Sequence, residues 1–264
     1  MDRLAIRQRP RGYPIMRQHW GKLLFMHWPF PYKALRALVP DSLEIDLYHG
    51  AAWVGLIPFT MWGVRPSIAP GVPGLTAFHE LNVRTYVHRD GVPGVYFFSL
   101  DASLPLAVWA GRRFYHLPYY TAEISLTEDS EGITYRSRRV HKGAPAAKFS
   151  ARWRPGNPLS PAEPGTLSFF LTERYCLYTV NRDRLYRCRI HHPPWPLRNV
   201  ELESFNSDLF SYQGIPEPTD PPVLHYAKEL PVDVWPLTPV EALARARKAF
   251  KELAPKVRPE PGTV

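Results

Sequence analysis

Short runs of β-branched and aromatic residues alternate with polar positions along most of this chain. Glycine, proline or Asp-Gly breaks separate the runs, and this spacing is typical of antiparallel strands joined by turns. The pattern predicts loops at 154–161 and 216–222 and strands at 22–28, 43–48, 52–62, 77–88, 93–101, 119–127, 132–141, 147–154, 166–180 and 184–191. We therefore predict a mostly β fold in which most neighbouring strands are antiparallel.

Three helices are predicted among these strands. The first spans 32–38 and stops at Val39, because a residue that precedes a proline is biased out of the α region. The second spans about 104–115, with Ser103 as its cap and Pro105 in its first turn. The third spans 239–253, where Thr238-Pro239-Val240-Glu241 provides an N-cap, an N1 proline and the glutamate of a capping box.

The chain length of 264 residues fits one large β-rich domain, since barrels and sandwiches reach this size as single units. We assign this domain to residues 17–254. Residues 1–16, which contain several arginines and prolines, are expected to form a loose arm, and residues 255–264 a frayed tail.

Composition narrows the class of protein. A net charge of +9 allows an anionic partner, but the basic residues are spread along the chain without a nucleic-acid motif, so nucleic acid is not the expected partner. No apolar run has the length of a membrane helix, and residues 1–10 lack the apolar segment of a signal peptide. The expectation is a cytoplasmic protein without a membrane partner, and a homo-oligomer stays open.

The motifs for cofactors and metals are missing from the sequence. Two cysteines, Cys176 and Cys188, exclude a disulfide scaffold and a four-cysteine zinc site, and a hairpin could bring the two thiols face to face. The adjacent His191 and His192 point to opposite faces of a strand, which makes them a poor metal pair. Without a phosphate loop, a dinucleotide fingerprint or a hydrolase elbow, we expect neither a cofactor nor a metal.

One predicted strand carries a polar face. The two-residue period of Phe78–Val87 places Glu80, Asn82, Arg84 and Tyr86 on one side and apolar residues on the other. Periodicity alone allows two interpretations, a solvated outer face or the wall of a binding site.

The segment Gly111-Arg112-Arg113-Phe114-Tyr115-His116-Leu117-Pro118-Tyr119-Tyr120 resembles the active-site loop of acetoacetate decarboxylases. That family carries a Gly-Arg-Glu turn, a spacer and Pro-Lys-Lys, whose first lysine forms a Schiff base with the keto acid. Here Tyr119 and Tyr120 stand in place of the lysines, and Arg113 replaces the glutamate. The segment 34–46 also resembles the helix and the Val-Pro-x-x-Leu-Glu-Ile-Asp run of the decarboxylases.

A closer resemblance, over roughly residues 17 to 237, is to the uncharacterised YqjF-like family of the acetoacetate decarboxylase-like superfamily. The motifs that carry it include His27-Trp28, Ala52–Gly55, Phe78–Val87, Gly94–Ala102, Leu117–Tyr120 and His192–Trp195. The resemblance implies a closed or conical antiparallel β-barrel around a small-molecule pocket. It also implies that Glu80 lines the pocket, as a glutamate on the matching strand does in the decarboxylases.

These arguments select eight candidate site residues. The catalytic candidates are Glu80, Tyr119, Tyr120 and His27, and the candidate ligand-binding residues are Arg84, Asn82, Arg112 and His116. Each has a plainer interpretation, because a histidine among aromatic residues is more often a core residue and two tyrosines beside a proline are ordinary barrel packing.

Two functions remain open at this stage. The first is binding of a small organic ligand in the barrel cavity, by a lysine-independent enzyme acting on an organic acid or ketone or by a sensor or carrier. In the enzyme, Glu80 would be the general acid or base and Arg84 and Arg112 would hold an anion. The second is an interaction protein whose basic surface binds an acidic partner. A Schiff-base decarboxylase is not expected, because a tyrosine cannot form an imine.

Overall fold

The computed structural model describes residues 2–74 and 76–241. Within these residues thirteen strands form a single sheet. The strands are β1 (Met16–Phe30), β2 (Glu44–Ile45), β3 (Ala52–Pro66), β4 (Phe78–Arg89), β5 (Val92–Ala102), β6 (Tyr119–Asp129), β7 (Gly132–Arg139), β8 (Lys148–Pro158), β9 (Cys176–Asn181), β10 (Arg184–His191), β11 (Leu197–Ser207), β12 (Val223–Val234) and β13 (Thr238–Pro239). The helices are a 3₁₀ turn (Ala5–Arg7), α1 (Tyr32–Arg36), α2 (Pro105–Phe114), α3 (Leu167–Thr172) and α4 (Leu209–Tyr212).

The sheet closes into two rings that share strands. Strand β5 pairs with β4, β6 and β9, and β12 pairs with β1, β10 and β11, so each is a branch point. One ring, called the cavity ring below, consists of β1, β3, β4, β5, β9, β10 and β12. The other, called the core ring, consists of β1, β3, β4, β5, β6, β7, β8, β11 and β12. The predicted closed, mostly β fold is confirmed, although β5 runs parallel to both β6 and β9.

Alternation along the shared strands separates two hydrophobic cores. On β1, Leu23 and Phe25 belong to the core of the cavity ring, whereas Leu24 and Met26 belong to the larger core of the other ring. Successive side chains of a strand point to opposite faces, so each shared strand contributes to both interiors. Burying apolar surface on both faces requires the nearly continuous apolar run Leu23–Trp28.

The predicted strand at 166–180 is partly wrong. Residues 167–172 form α3, and the strand starts at Cys176. Thr166 caps this helix, because its hydroxyl oxygen accepts a hydrogen bond from the backbone N–H of Phe169 at 3.2 Å. Strands β11 and β12 were not predicted, and β8 continues to Pro158 through the segment 154–161 that was predicted as a loop.

Two predicted helix starts also need correction. Ser103 does not cap α2; its hydroxyl accepts the N–H of His79, and the N-cap residue is Leu104. Thr238 and Pro239 pair with β10 as a short strand, so helical structure begins only at Val240. Residues 242–253 of the predicted helix and the predicted tail at 255–264 lie outside the described residues.

The N-terminal segment that was predicted to be loose makes specific contacts. Ile6 is buried, Arg3 forms an ion pair with Asp46 at 2.6 Å, and Arg9 forms one with Asp233 at 2.7 Å. The Arg189 guanidinium donates to the carbonyl oxygens of Ile6 and Gln8. These contacts attach the segment to the sheet. No helix within the described ranges is long and apolar enough to cross a membrane.

Candidate functional site

A cavity of about 300 Å³ lies inside the cavity ring. All seven strands of this ring contribute to its wall, and the segment 104–119 adds α2 and the residues that follow it. Most of the wall is apolar and aromatic, including Trp20, Phe25, Phe59 and Trp195. Such a cavity, with few polar groups in an apolar wall, is typical of small-molecule sites.

All residues predicted for the polar face of β4 except Tyr86 line the cavity. Glu80, Asn82 and Arg84 line the cavity, whereas Leu81 and Val83 on the opposite face belong to the other core. The solvated-face interpretation is wrong, because the exposed fractions of Glu80 and Asn82 are 3% and 4%. A strand shared by two closed rings has no solvated face, and this is why the polar side chains lie inside.

Glu80 is a buried carboxyl group of the cavity wall with a tyrosine partner. The Tyr119 hydroxyl donates a hydrogen bond of 2.7 Å to its Oε2 atom. Burial raises the pKa of Glu80 from 4.5 to about 7, while the hydrogen bonds from Tyr119 and Asn82 oppose the rise. A carboxyl group with this pKa can either give or accept a proton near neutral pH.

Tyr119 is held in place by its neighbours on α2. A Cβ atom at Gly111 would lie 2.4 Å from Cδ2 of the Tyr119 ring, so only glycine allows the ring to pack here. Arg112 donates from Nη1 to the Tyr119 carbonyl oxygen at 2.7 Å. Burial, reinforced by the Glu80 carboxyl, raises the pKa of Tyr119 and keeps its phenol protonated.

Arg84 adds a cation to the same cavity. The guanidinium lies 5.9 Å from the Phe25 ring centre and 5.7 Å from that of Tyr86, and Nη2 donates to the Leu171 carbonyl oxygen at 3.3 Å. No carboxylate of the described residues lies within ion-pair distance of it. Arg174, which also lines the cavity, is instead paired with Asp46 at 2.6 Å. Arg84 is therefore the cation of this wall that is able to bind an anion.

His27 lies behind the wall and does not line the cavity. It is fully buried, and its Nε2 atom is 2.7 Å from the Tyr86 hydroxyl, which itself lies 2.8 Å from the Leu171 carbonyl oxygen. Since Tyr86 donates to that carbonyl, His27 donates from Nε2 to Tyr86. Burial lowers the pKa of His27, so the ring is neutral. The structure thus places His27 as a support for the wall.

Tyr120, Arg112 and His116 lie on the other side of the sheet. Adjacent residues of β6 point in opposite directions, so Tyr120 points away from Glu80 when Tyr119 points toward it. These three residues line a separate hollow of about 540 Å³, called the outer depression below. The predicted site residues therefore divide between two places.

Sequence reasoning missed several polar residues of the cavity wall. These are Gln18, Tyr115, Thr172, Arg174 and His192. Tyr115 belongs to the segment that resembles the decarboxylase active-site loop, and His192 belongs to a motif noted in the sequence, so both carried a signal. Thr172 was hidden by the wrong strand assignment at 166–172.

The two cysteines do not face each other. Cys188 is directly opposite Leu177 across the β9–β10 hairpin, and Cys176 is opposite Arg189. Residues directly opposite share a face, so the thiols point to opposite sides of the sheet. Among the described residues no group of three His, Cys, Asp or Glu side chains is suited to hold a metal ion.

Comparison with known proteins is consistent with this geometry. Residues 17–231 match the model of DUF2071, a family described as an uncharacterized conserved protein. The uncharacterized protein YqjF of Bacillus subtilis (strain 168) is 46% identical over 228 residues, which are 86% of this chain and 93% of YqjF.

Two solved structures share the fold. The enduracididine biosynthesis enzyme MppR, in complex with pyruvate, matches with a TM-score of 0.58 at 13% identity, over 88% of this chain and 93% of MppR. An acetoacetate decarboxylase-like enzyme from Sphingomonas wittichii RW1 matches with a TM-score of 0.57 at 10% identity, over 86% of this chain and 94% of that enzyme. The chain therefore belongs to the DUF2071 family, of which YqjF is a member, and has the fold of the acetoacetate decarboxylase-like proteins.

Proposed function

We propose that this protein binds a small oxo acid in the cavity and moves a proton on it without a Schiff base. The observation that carries the proposal is the hydrogen-bonded pair of buried Glu80 and Tyr119 in the same cavity as Arg84, a cation without a carboxylate partner among the described residues. The pair supplies a proton-transfer group and a hydroxyl donor, and Arg84 supplies the counter-ion for a carboxylate.

The spacing along β4 sets the orientation of the ligand. Glu80 and Arg84 are four residues apart on one face, which corresponds to roughly 13 Å between their Cα atoms. Both side chains line the cavity, so a 2-oxo acid can place its carboxylate toward Arg84 and its carbonyl group and C3 toward Tyr119 and Glu80.

The chemistry that this arrangement supports is proton exchange next to a carbonyl group. Ionised Glu80 takes a proton from the carbon atom beside the carbonyl, and the electron pair of the broken C–H bond moves to the carbonyl oxygen. The Tyr119 hydroxyl, which donates to Glu80 when no ligand is bound, turns its one hydrogen bond to that oxygen and stabilises its negative charge. Glu80 then returns the proton. The pKa of about 7 suits both steps, because acid and base forms coexist near neutral pH.

The comparisons support an oxo acid in this fold. MppR was solved in complex with pyruvate, which is a 2-oxo acid. In this chain the described residues of the cavity wall include no lysine, and Tyr119 stands where the decarboxylase motif has its first lysine. Proton exchange needs no amine, whereas imine-based decarboxylation does.

A sensor or carrier would use the same pocket without turnover. An interaction protein that binds through its basic surface needs no open cavity, whereas a cavity with converging polar groups favours a small ligand. The proton-exchange step distinguishes an enzyme from a carrier, so we test it directly.

We expect 2-oxopentanoate to raise the melting temperature of the protein, because it supplies both a carboxylate and a carbonyl group. A ligand at a hundred times its Kd adds about 2.7 kcal/mol, which corresponds to roughly 5–10 °C for a chain of this size. Pentan-2-one, which lacks the carboxylate, and pentanoate, which lacks the carbonyl, should give much smaller shifts. Arg84→Gln should remove the shift, and Arg136→Gln, on the exposed face of β7, should keep it.

Proton NMR spectra of the same samples in deuterated water measure whether the protein catalyses proton exchange. Loss of the C3 proton signals of 2-oxopentanoate, abolished by Glu80→Gln, supports the enzyme. Binding without exchange supports a carrier, and a shift that survives Arg84→Gln contradicts the proposed anion site.

A second test addresses the amine directly. Borohydride reduction in the presence of acetoacetate should leave the intact mass of the wild-type protein unchanged, because the described residues of the wall offer no primary amine to form an imine. The Tyr119→Lys variant provides the comparison. A stoichiometric adduct on the wild-type protein at Lys22, Lys142 or Lys148 would show that a displaced amine serves the site, and the lysine-free mechanism would be wrong.

A further inference from the structure

The outer depression lies between β5, β9 and the last turn of α2, on the opposite side of the segment 115–120 from the cavity. The polar side chains in its lining are those of Tyr96, Arg112, His116, Tyr120, Tyr178, Thr179, Asn181 and Gln213. Phe97 and Leu117 line both hollows and separate them. No Asp or Glu is among the described residues that line the depression, so its electrostatic character is positive.

Arg112 provides the positive charge. One of its nitrogens donates to the Tyr119 carbonyl oxygen at 2.7 Å, which fixes the guanidinium 5.9 Å from the centre of the Tyr120 ring. No described carboxylate is within ion-pair distance of it. The nearby Arg139 differs, because its charge is neutralised by Asp101 at 2.8 Å. Arg112 therefore has donors left for an oxyanion.

His116 is held as a hydrogen-bond donor beside Arg112. Its backbone has a φ of 54°, in the left-handed region that non-glycine residues seldom adopt. The Thr179 hydroxyl donates to its carbonyl oxygen at 2.7 Å, which fixes this conformation. The Asn181 amide nitrogen lies 3.3 Å from Nε2 and donates to it, so the ring proton is on Nδ1. The imidazole thus offers an N–H that no described residue accepts.

We propose that the outer depression is a second binding site, for a small hydroxylated anion such as a sugar phosphate or a sugar acid. Arg112 binds the oxyanion. The His116 Nδ1–H group, the Tyr120 hydroxyl and the amides of Asn181 and Gln213 bind hydroxyl groups. The mostly polar lining disfavours an apolar ligand, and the lack of carboxylates disfavours a cation. This proposal is independent of what the inner cavity binds.

The test measures the affinity of four probes by calorimetric titration. They are glucose 6-phosphate, gluconate, inorganic phosphate and glucose. The first two combine an oxyanion with hydroxyl groups, so we expect each to bind about tenfold or more tightly than phosphate or glucose. Phosphate binding as tightly as glucose 6-phosphate would overturn the assignment of the hydroxyl-binding groups. Failure of all four probes to bind at millimolar concentration would overturn the site.

Matched variants locate the binding. Arg112→Gln and Asn181→Asp should each weaken glucose 6-phosphate binding by about tenfold or more, the second by placing a negative charge in the depression. Arg113→Gln, the neighbouring exposed arginine of α2, should have no effect, nor should Arg84→Gln in the inner cavity. Binding that is lost in Arg84→Gln and retained in both depression variants would place the anion in the inner cavity and overturn the proposal. Asn181→Asp leaves Arg112 intact, so it tests the site even if Arg112→Gln does not fold.

Discussion

Glu80→Gln should flatten the dependence of stability on pH between about pH 4.5 and pH 7. Burial raises the pKa of Glu80 from 4.5 to about 7 in the folded protein, so the folded state binds this proton more tightly than the unfolded state does. The resulting stabilisation is complete below pH 4.5 and is lost as the pH rises through about 7. Its size is about 3 kcal/mol. The glutamine variant carries no titrating proton and should lose this dependence.

Urea unfolding at a series of pH values measures the effect. Asp101, whose pKa burial raises to about 6, leaves a smaller slope of the same sign in the variant. Glu123→Gln, at an exposed position of β6, is the matched control and should keep the wild-type slope. If Glu80→Gln and wild type have the same slope, Glu80 titrates normally and its assignment as the acid–base group is wrong.

Arg139→Met should destabilise the protein by about 3–5 kcal/mol near neutral pH. Arg139 pairs with Asp101 at 2.8 Å, and the exposed fractions of these side chains are 2% and 1%. The variant leaves the Asp101 carboxylate buried without its counter-ion, which is the costly way to break a buried ion pair. The loss should shrink on acidification, because protonated Asp101 needs no partner.

The neighbouring residue provides the control. Arg138 pairs with Glu123 at 2.6 Å, but both side chains are more than half exposed. Arg138→Met should therefore cost less than about 1 kcal/mol. Equal effects of the two variants in chemical denaturation would mean that the Arg139–Asp101 pair is solvated in solution.

Much of the cavity wall could be predicted from the sequence. The division of the candidate residues between the cavity and the outer depression could not. The period of two on β4 grouped Glu80, Asn82 and Arg84 on one face, because alternation is a local property of a strand. The resemblance to the decarboxylases, and not the period, indicated that this face lines the pocket. The same rule, applied to Tyr119 and Tyr120, would have separated them, yet the family motif grouped them together. Arg112 and His116 were assigned to the cavity by the same motif, and they line the outer depression instead.

Three features of the fold could not be predicted from local sequence patterns. Residues 167–172, with two adjacent phenylalanines, have the composition of a strand, and the Thr166 cap made them a helix. Strand β11 has many polar and charged residues and few buried ones, so the hydrophobic pattern that would predict a strand is weak. Ring closure depends on β5 and β12 each pairing with three strands, and such branching leaves no periodic trace in the sequence.

The sharing of strands between the rings has a consequence for how a ligand enters. Each shared strand is packed on both faces, so moving it outward to admit a molecule would strip apolar surface from the core ring as well as from the cavity ring. Separating the strands of the barrel wall would therefore disrupt the core ring too, and its free-energy cost is high. The elements around the cavity that are not part of the core ring include β9, β10 and the segment 104–118. Exchange of ligand should accordingly follow the local mobility of α2 or of the β9–β10 hairpin and not the stability of the core ring.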